Sequence, residues 1–206
     1  MLTAEKVRPI SAEQYTALLQ PVLPPTPEEL FEFQRATLSD KQLAPVGMFD
    51  HFASRLPKSG LFLLVPPQRK APDWKDLMAR VELDGKTGVN YLDQKHHKDL
   101  IEVPDVPTML IGVEDGRGRL NIKPSVSREA IPKEGRTAYY TWRGYIHVAL
   151  FPMVLKHHYL DMVGSRYRSA YVPCFYLHGG KPTLNSGWVD NANPYYGAPS
   201  CGSIEH

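Results

Sequence analysis

No run of lysine and arginine, no long apolar stretch and almost no cysteine occur in these 206 residues, and each shortage closes a class of function. Twenty-four Lys and Arg are scattered among 22 Asp and Glu, for a formal charge of +2, so no basic stripe exists to track a phosphate backbone. Nucleic acid is not an expected partner. The longest apolar segment, His147 to Leu155, is interrupted by Pro152 and is far too short to span a bilayer. The opening MLTAEKVRPI lacks the apolar centre of a signal peptide, which leaves a cytoplasmic protein with no membrane partner as the expectation. The two cysteines, Cys174 and Cys201, form no metal-ligand spacing and no disulfide framework.

Histidine is more plentiful, with eight residues that include the adjacent pairs His96-His97 and His157-His158. Adjacent side chains point in different directions on either a helix or a strand, and no His-Glu-x-x-His accompanies them. Neither a metal nor a cofactor is expected. The stretch Asp115-Gly116-Arg117-Gly118-Arg119 lacks the spacing of a nucleotide fingerprint and reads as a turn with two solvated arginines.

What is present is enough apolar material for one core: 42% hydrophobic against 22% charged residues. Ser11 to Gln14 resembles a capping box and starts a short helix through Leu18 and Leu19. A second helix starts at Thr26, which can cap, with Pro27 in the first turn and Glu28 and Glu29 at the positive end of the dipole. Pro21, Pro24 and Pro25 stiffen the connection between the two. Residues 1–58 therefore read as a helical arm packed on a body of residues 59–206. A short helix is expected at Asp50 to Leu56.

In the body, Leu61 to Val65 and Thr108 to Val113 read as buried strands, and Leu77 to Leu83 alternates like a strand with one wet face. Asp84-Gly85 and Asp115-Gly116 supply turns. Ser125 can cap a helix ending before Pro132, and Thr141 a longer one through Leu150 that Pro152 breaks. Tyr171 to Leu177 reads as a strand, with Pro173 placing it at an edge or a bulge. His178-Gly179-Gly180-Lys181-Pro182 turns it into Leu184 to Val189 as a hairpin. The expected fold class is α+β: a single domain whose mixed, mostly antiparallel sheet is covered on one side by helices, with the N-terminal helical arm.

The richest chemistry lies in the tail, Gly187 to His206. Trp188, Asp190, Asn191, Asn193, Tyr195 and Tyr196 combine amides and a carboxylate with aromatic walls, the usual makeup of a pocket for a small polar ligand. The same residues suit a compact loop that satisfies its own backbone and anchors itself by its rings, and the two roles are compatible. Cys201, between Ser200 and Gly202, is the candidate nucleophile if backbone amides and a histidine lower its pKa; an inert packed thiol is the alternative. Arg136 and Arg166 are the candidate anion contacts.

The ordered series Thr108 to Gly116, Gly135-Arg136-Thr137, Ser165-Arg166, Val172-Pro173, Gly187-Trp188, Asn193-Pro194-Tyr195-Tyr196-Gly197 and Ser200-Cys201 resembles a bacterial family catalogued only as a domain of unknown function. The resemblance runs from about Leu61 to the end and implies a single-domain extent and a bacterial setting, but no reaction. At the start of the long helix it leads one to expect a carboxylate where this chain has Arg143. Three roles follow in order: a noncatalytic protein that binds a small molecule or serves as an accessory, with a site near the C-terminal loop; an enzyme, hydrolase or transferase, using Cys201 or the Asp190 region; and a structural subunit that meets a protein partner or further copies of itself.

Overall fold

Local capping chemistry decides where the first described helix begins. In a computed structural model covering residues 26–68 and 73–206, α1 (Pro27–Asp40) starts from a complete capping box. The Thr26 side chain accepts from the Glu29 amide, and the Glu29 carboxylate accepts from the Thr26 amide. The helix expected at Ser11 and the proline connector lie outside the described residues. Phe31 and Leu38 turn inward, and buried Gln34 uses both ends of its amide, donating to the Phe62 carbonyl and accepting from the Leu64 amide. That pair of bonds ties α1 to the strand β1 (Leu63–Val65).

Two expectations for the next segment are corrected. A 3-10 helix spans Val46–Phe52 in place of a helix from Asp50 to Leu56. The alternating stretch from Leu77 is strand only at its end, because its first two residues close a helix: α2 (Trp74–Met78) is capped by Asp73, whose carboxylate accepts from the Lys75 and Asp76 amides. Trp74, Leu77 and Met78 then bury one helical face, and only Glu82–Leu83 (β2) is strand. The Asp84-Gly85 turn returns β2 into β3 (Lys86–Thr87), with both turn residues at positive φ.

After β4 (Val89–Asn90), β5 (His97–Asp99) and β6 (Thr108–Ile111) comes α3 (Pro124–Lys133), and a third correction concerns its start. Lys123, not Ser125, stands at the N-cap, Pro124 opens the first turn, and the Ser125 hydroxyl is committed elsewhere. Beyond β7 (Thr137–Ala138) lies α4 (Thr141–Leu150), whose ten residues are all buried. It packs on α1, β1 and the long strand β10 (Tyr171–His178), so it is the centre of the core. As expected, Pro152 ends it and a 3-10 helix follows at Pro152–Lys156.

The remaining strands are β8 (Tyr159–Asp161), β9 (Ser165–Tyr167), β11 (Lys181–Trp188), β12 (Tyr196–Gly197), β13 (Ser200–Cys201) and β14 (Ser203–Glu205). β10 and β11 form a hairpin in full register from Tyr171↔Trp188 to His178↔Lys181, closed by Gly179 and Gly180 at positive φ. The main sheet runs β12-β8-β10-β11-β4, with β9 also on β10 and β5 on β9. A three-stranded sheet runs β1-β6-β14. Pairing is antiparallel except β4 on β11 and β12 on β8, so this is a mixed, mostly antiparallel α+β fold.

β10 is central in the main sheet, so of the two positions inferred from Pro173, an edge or a bulge, the edge is corrected. β8 pairs only with Cys174 and Phe175, and β9 only with Tyr171, so the proline falls in the gap between two short partners. There the Pro173 carbonyl accepts from the Met162 amide, and the Met162 carbonyl accepts from the Ser165 amide in place of the N–H that proline lacks.

The tail stitches these parts together. β12 lies parallel on β8, β13 antiparallel on β7, and β14 antiparallel on β6. Gly197 makes this path passable: a Cβ there would collide with the Gly116 carbonyl, and Gly116 itself sits at φ 96°. No helix among the described residues is long and apolar enough to cross a membrane.

Candidate functional site

The parallel contact between β12 and β8 carries the tail's aromatic and amide residues to one end of the main sheet. There Pro124, Asp161, Gly187, Trp188, Asn191, Asn193 and Tyr196 line a pocket of about 110 Å³. Four of the residues singled out from the sequence meet in it: Trp188, Asn191, Asn193 and Tyr196. Three that are not among the sequence candidates complete it, Pro124, Asp161 and Gly187.

Backbone bonds hold the loop in place. The Asn121 amide donates to the Asn193 carbonyl and the Ser125 amide to the Val189 carbonyl, which binds residues 189–193 to the start of α3. The Ser125 hydroxyl donates to Asp190 Oδ1 at 2.6 Å, so Asp190 fastens the loop and does not line the pocket. Asn193 Oδ1 accepts from the Tyr195 amide at 3.0 Å, a side-chain turn that aims the next two tyrosines. Tyr195 lies outside the lining, in a group of rings with Tyr159; Tyr196 packs edge-on to Tyr159 at 5.0 Å. Asn193 and Tyr196 thus belong both to the anchored loop and to the pocket lining, whereas Asp190 and Tyr195 belong to the loop alone.

Asp161 is the chemical centre of the pocket. It faces Cys174 across the β8–β10 ladder and is 5% exposed. Burial pushes its carboxyl up to about 7, because no neighbour compensates the cost of ionising it. No hydrogen bond or ion pair from the described residues reaches the carboxylate. Its field contributes to raising the thiol of Cys174 and the phenol of Tyr196, both driven up chiefly by burial. The signal in the sequence was a lone acid in the apolar stretch Tyr159-Leu160-Asp161-Met162-Val163.

Gly187 supplies the room. It pairs with Val172, two residues from the Cys174 that pairs with Asp161, so alternation puts it on the same face of the sheet. A Cβ at Gly187 would meet nothing within 4 Å. The pocket is the space that a side chain at this position would fill.

The other sequence candidates lie elsewhere. Arg136 donates through Nε to the Ser200 hydroxyl and through Nη2 to the Gly112 and Ser200 carbonyls, riveting β13 to the end of β6. Arg166 is exposed on β9 opposite Lys98. Cys201 is fully enclosed; burial raises its thiol, and the nearby Arg143 and Arg136 only partly offset this.

Two further polar groups at the start of α4 have a structural explanation or a structural cost. Ser165 Oγ donates to Asp99 at 2.5 Å and accepts from the Thr141 amide, while His97 Nε2 meets both the Thr141 hydroxyl at 2.7 Å and Asp99 at 3.5 Å. A hydrolase triad needs the acid and the hydroxyl on opposite ring nitrogens; here both meet the same one, and the cluster serves as a helix cap. Arg143, 1% exposed, lies 4.9 Å over the Tyr140 ring, and its Nε and Nη1 have no acceptor. A cation in a first helical turn is opposed by the dipole, and the ring face supplies part of the compensation.

Among the described residues no group of three or more His, Cys, Asp or Glu side chains is arranged to hold a metal ion. The model of a family of unknown function, DUF5701, matches residues 28–205, and the chain belongs to that family. No curated protein and no solved structure matches it.

Proposed function

We propose that this member of the DUF5701 family binds a small polar ligand, without transforming it, in the pocket between β8, β11 and the C-terminal loop. The observation that carries the reading is Asp161: a carboxylate that is nearly enclosed, has no partner among the described residues and borders an open space. Burying such a group costs free energy unless something bonds to it, and a ligand group is the partner the surroundings leave room for. The amides of Asn191 and Asn193 supply orienting contacts and Trp188 and Tyr196 supply walls, the combination common to small-molecule sites. An enzymatic role for Cys201 has less support, since its thiol is enclosed and raised by burial.

Trp188 offers the test. It is 50% exposed, whereas Trp74 and Trp142 are buried, so its emission is the one most open to a ligand at the pocket. Screening a metabolite library by emission should yield compounds whose signal disappears in Gly187→Leu, which fills the pocket. A confirmed ligand that binds this variant as well as the native chain would place the site elsewhere.

A further inference from the structure

The residues lining the pocket select among ligand classes by charge and by size. Among the described residues that line it, Asp161 is the only carboxylate and Tyr196 the only other ionisable group, with no lysine, arginine or histidine. An anion would meet a carboxylate and the electron-rich faces of an indole and a phenol, with no cation to hold it. A cation would meet the opposite: a carboxylate that lacks a partner and two ring systems that attract positive charge. A neutral donor could bond to Asp161 but would gain neither the ionic nor the ring contribution. The volume of about 110 Å³ is well below the roughly 300 Å³ at which pockets for whole drug-sized molecules begin. It admits a head group of a few non-hydrogen atoms, with any remainder in solvent.

From this we infer that the Asp161 pocket takes a primary ammonium group on a short alkyl stem, the ammonium against the Asp161 carboxylate and the stem against Trp188 and Tyr196. The inference rests on the ligand-binding reading of the pocket and names its ligand class. The surrounding charges are compatible with it. Lys123 precedes Pro124 on the α3 side but is exposed, and Asp190 beside it is engaged by Ser125. Behind Asp161 stand Cys174 on β10 and the phenols of Tyr159, Tyr176 and Tyr196, none of them cationic. The positive end of α3 is the one opposing field, and it acts only within its first turn.

The ammonium binds the ionised carboxylate, so affinity follows Asp161 ionisation. With a carboxyl that titrates at about 7, raising the pH from about 6 to about 8 increases the ionised fraction, and with it the affinity, about tenfold, while an alkyl ammonium keeps its charge throughout. The probe is n-propylammonium chloride added to the full chain at constant ionic strength, with 1-propanol and propionate as neutral and anionic partners of matched size. Trp188 emission and calorimetry are the readouts. Propylammonium is expected to bind, to bind about tenfold more tightly across that pH interval, and to lose binding in both Asp161→Asn and Gly187→Leu. Two variants are used because Gly187→Leu leaves the acid in place and Asp161→Asn leaves the space. If 1-propanol or propionate binds in a manner abolished by Gly187→Leu and propylammonium does not, the ammonium assignment is overturned and the pocket reading stands. If propylammonium binds Gly187→Leu as well as the native chain, or elicits no response at about pH 8, the assignment is likewise overturned. The pocket reading falls separately, when no compound of any charge gives a signal that Gly187→Leu removes.

Discussion

Asp115 and Asp161 are buried to nearly the same extent, 6% and 5% exposed, yet their surroundings are opposite. Asp115 accepts from the Arg117 amide at 3.0 Å and pairs with the Arg117 guanidinium at 2.9 Å. Arg117 Nε also donates to His158 Nδ1, and the other ring nitrogen of His158 donates to the Asp115 carbonyl at 2.8 Å. That bonding requires a neutral ring, in keeping with a His158 pKa lowered chiefly by burial. Asp161 has none of this. Asp115 is hydrogen-bonded and ion-paired to Arg117, whereas Asp161 faces an open space. A buried acid paired within the chain explains itself as structure; one without such a pair is what the ligand proposal rests on.

The largest effect expected from this contrast is on stability. Asp115→Ala leaves Arg117 buried without its carboxylate and should cost about 3–5 kcal/mol in chemical denaturation. Asp161→Asn removes no partner, so at neutral pH it should be neutral or stabilising. Comparable losses from the two variants would erase the distinction.

Their pH dependence sharpens it. The Asp161 carboxyl titrates at 3.8 as an ordinary aspartate and at about 7 in the fold. Between those values the folded chain keeps a proton that the unfolded chain has released, so the stability present below about pH 4 declines as pH rises through 7. His147 acts in the other direction: burial lowers its pKa from 6.5 to about 4, so its neutral burial costs stability as pH falls over that interval. Asp161→Asn removes only the first slope. Its stability relative to the native chain should therefore climb with pH from about 4 to 7, by up to about 1.4 kcal/mol per unit. Urea midpoints of both proteins across that range measure the difference; parallel curves would contradict it.

The smallest changes are expected at the rim. Gly187→Leu adds a side chain into open space and should shift stability by less than about 0.5 kcal/mol in either direction, as surface substitutions do. Trp188→Phe should be equally mild, while removing the exposed component of the tryptophan emission. A large destabilisation by Gly187→Leu would mean that the space is not free.

Local signals in the sequence marked most elements and only part of the pocket. The capping box at Thr26, the helix break at Pro152 and the Gly179-Gly180 turn act within a few residues, and each is read correctly from its neighbours. The stretch from Leu77 was misread because the Asp73 cap outweighs an alternation that continues for only a few residues. The tail announced itself by density, and Trp188, Asn191, Asn193 and Tyr196 do share one lining. Asp161 and Gly187 carried no comparable signal, since a lone acid in a three-residue strand and a glycine in a hairpin acquire meaning only from what lies across the sheet. The same limit applies to Arg136 and Cys201, whose surroundings are set by β7, β13 and the distant α4.

Asp161 is an enclosed acid with no partner among the described residues, and the carbon-13 shift of its side-chain carboxyl, followed through a pH titration and assigned with Asp161→Asn, tests that directly. A midpoint near 7, moving downward when propylammonium is present, is the expected result. A midpoint near the ordinary aspartate value of about 4 would contradict it, because the carboxylate would then already be solvated or paired.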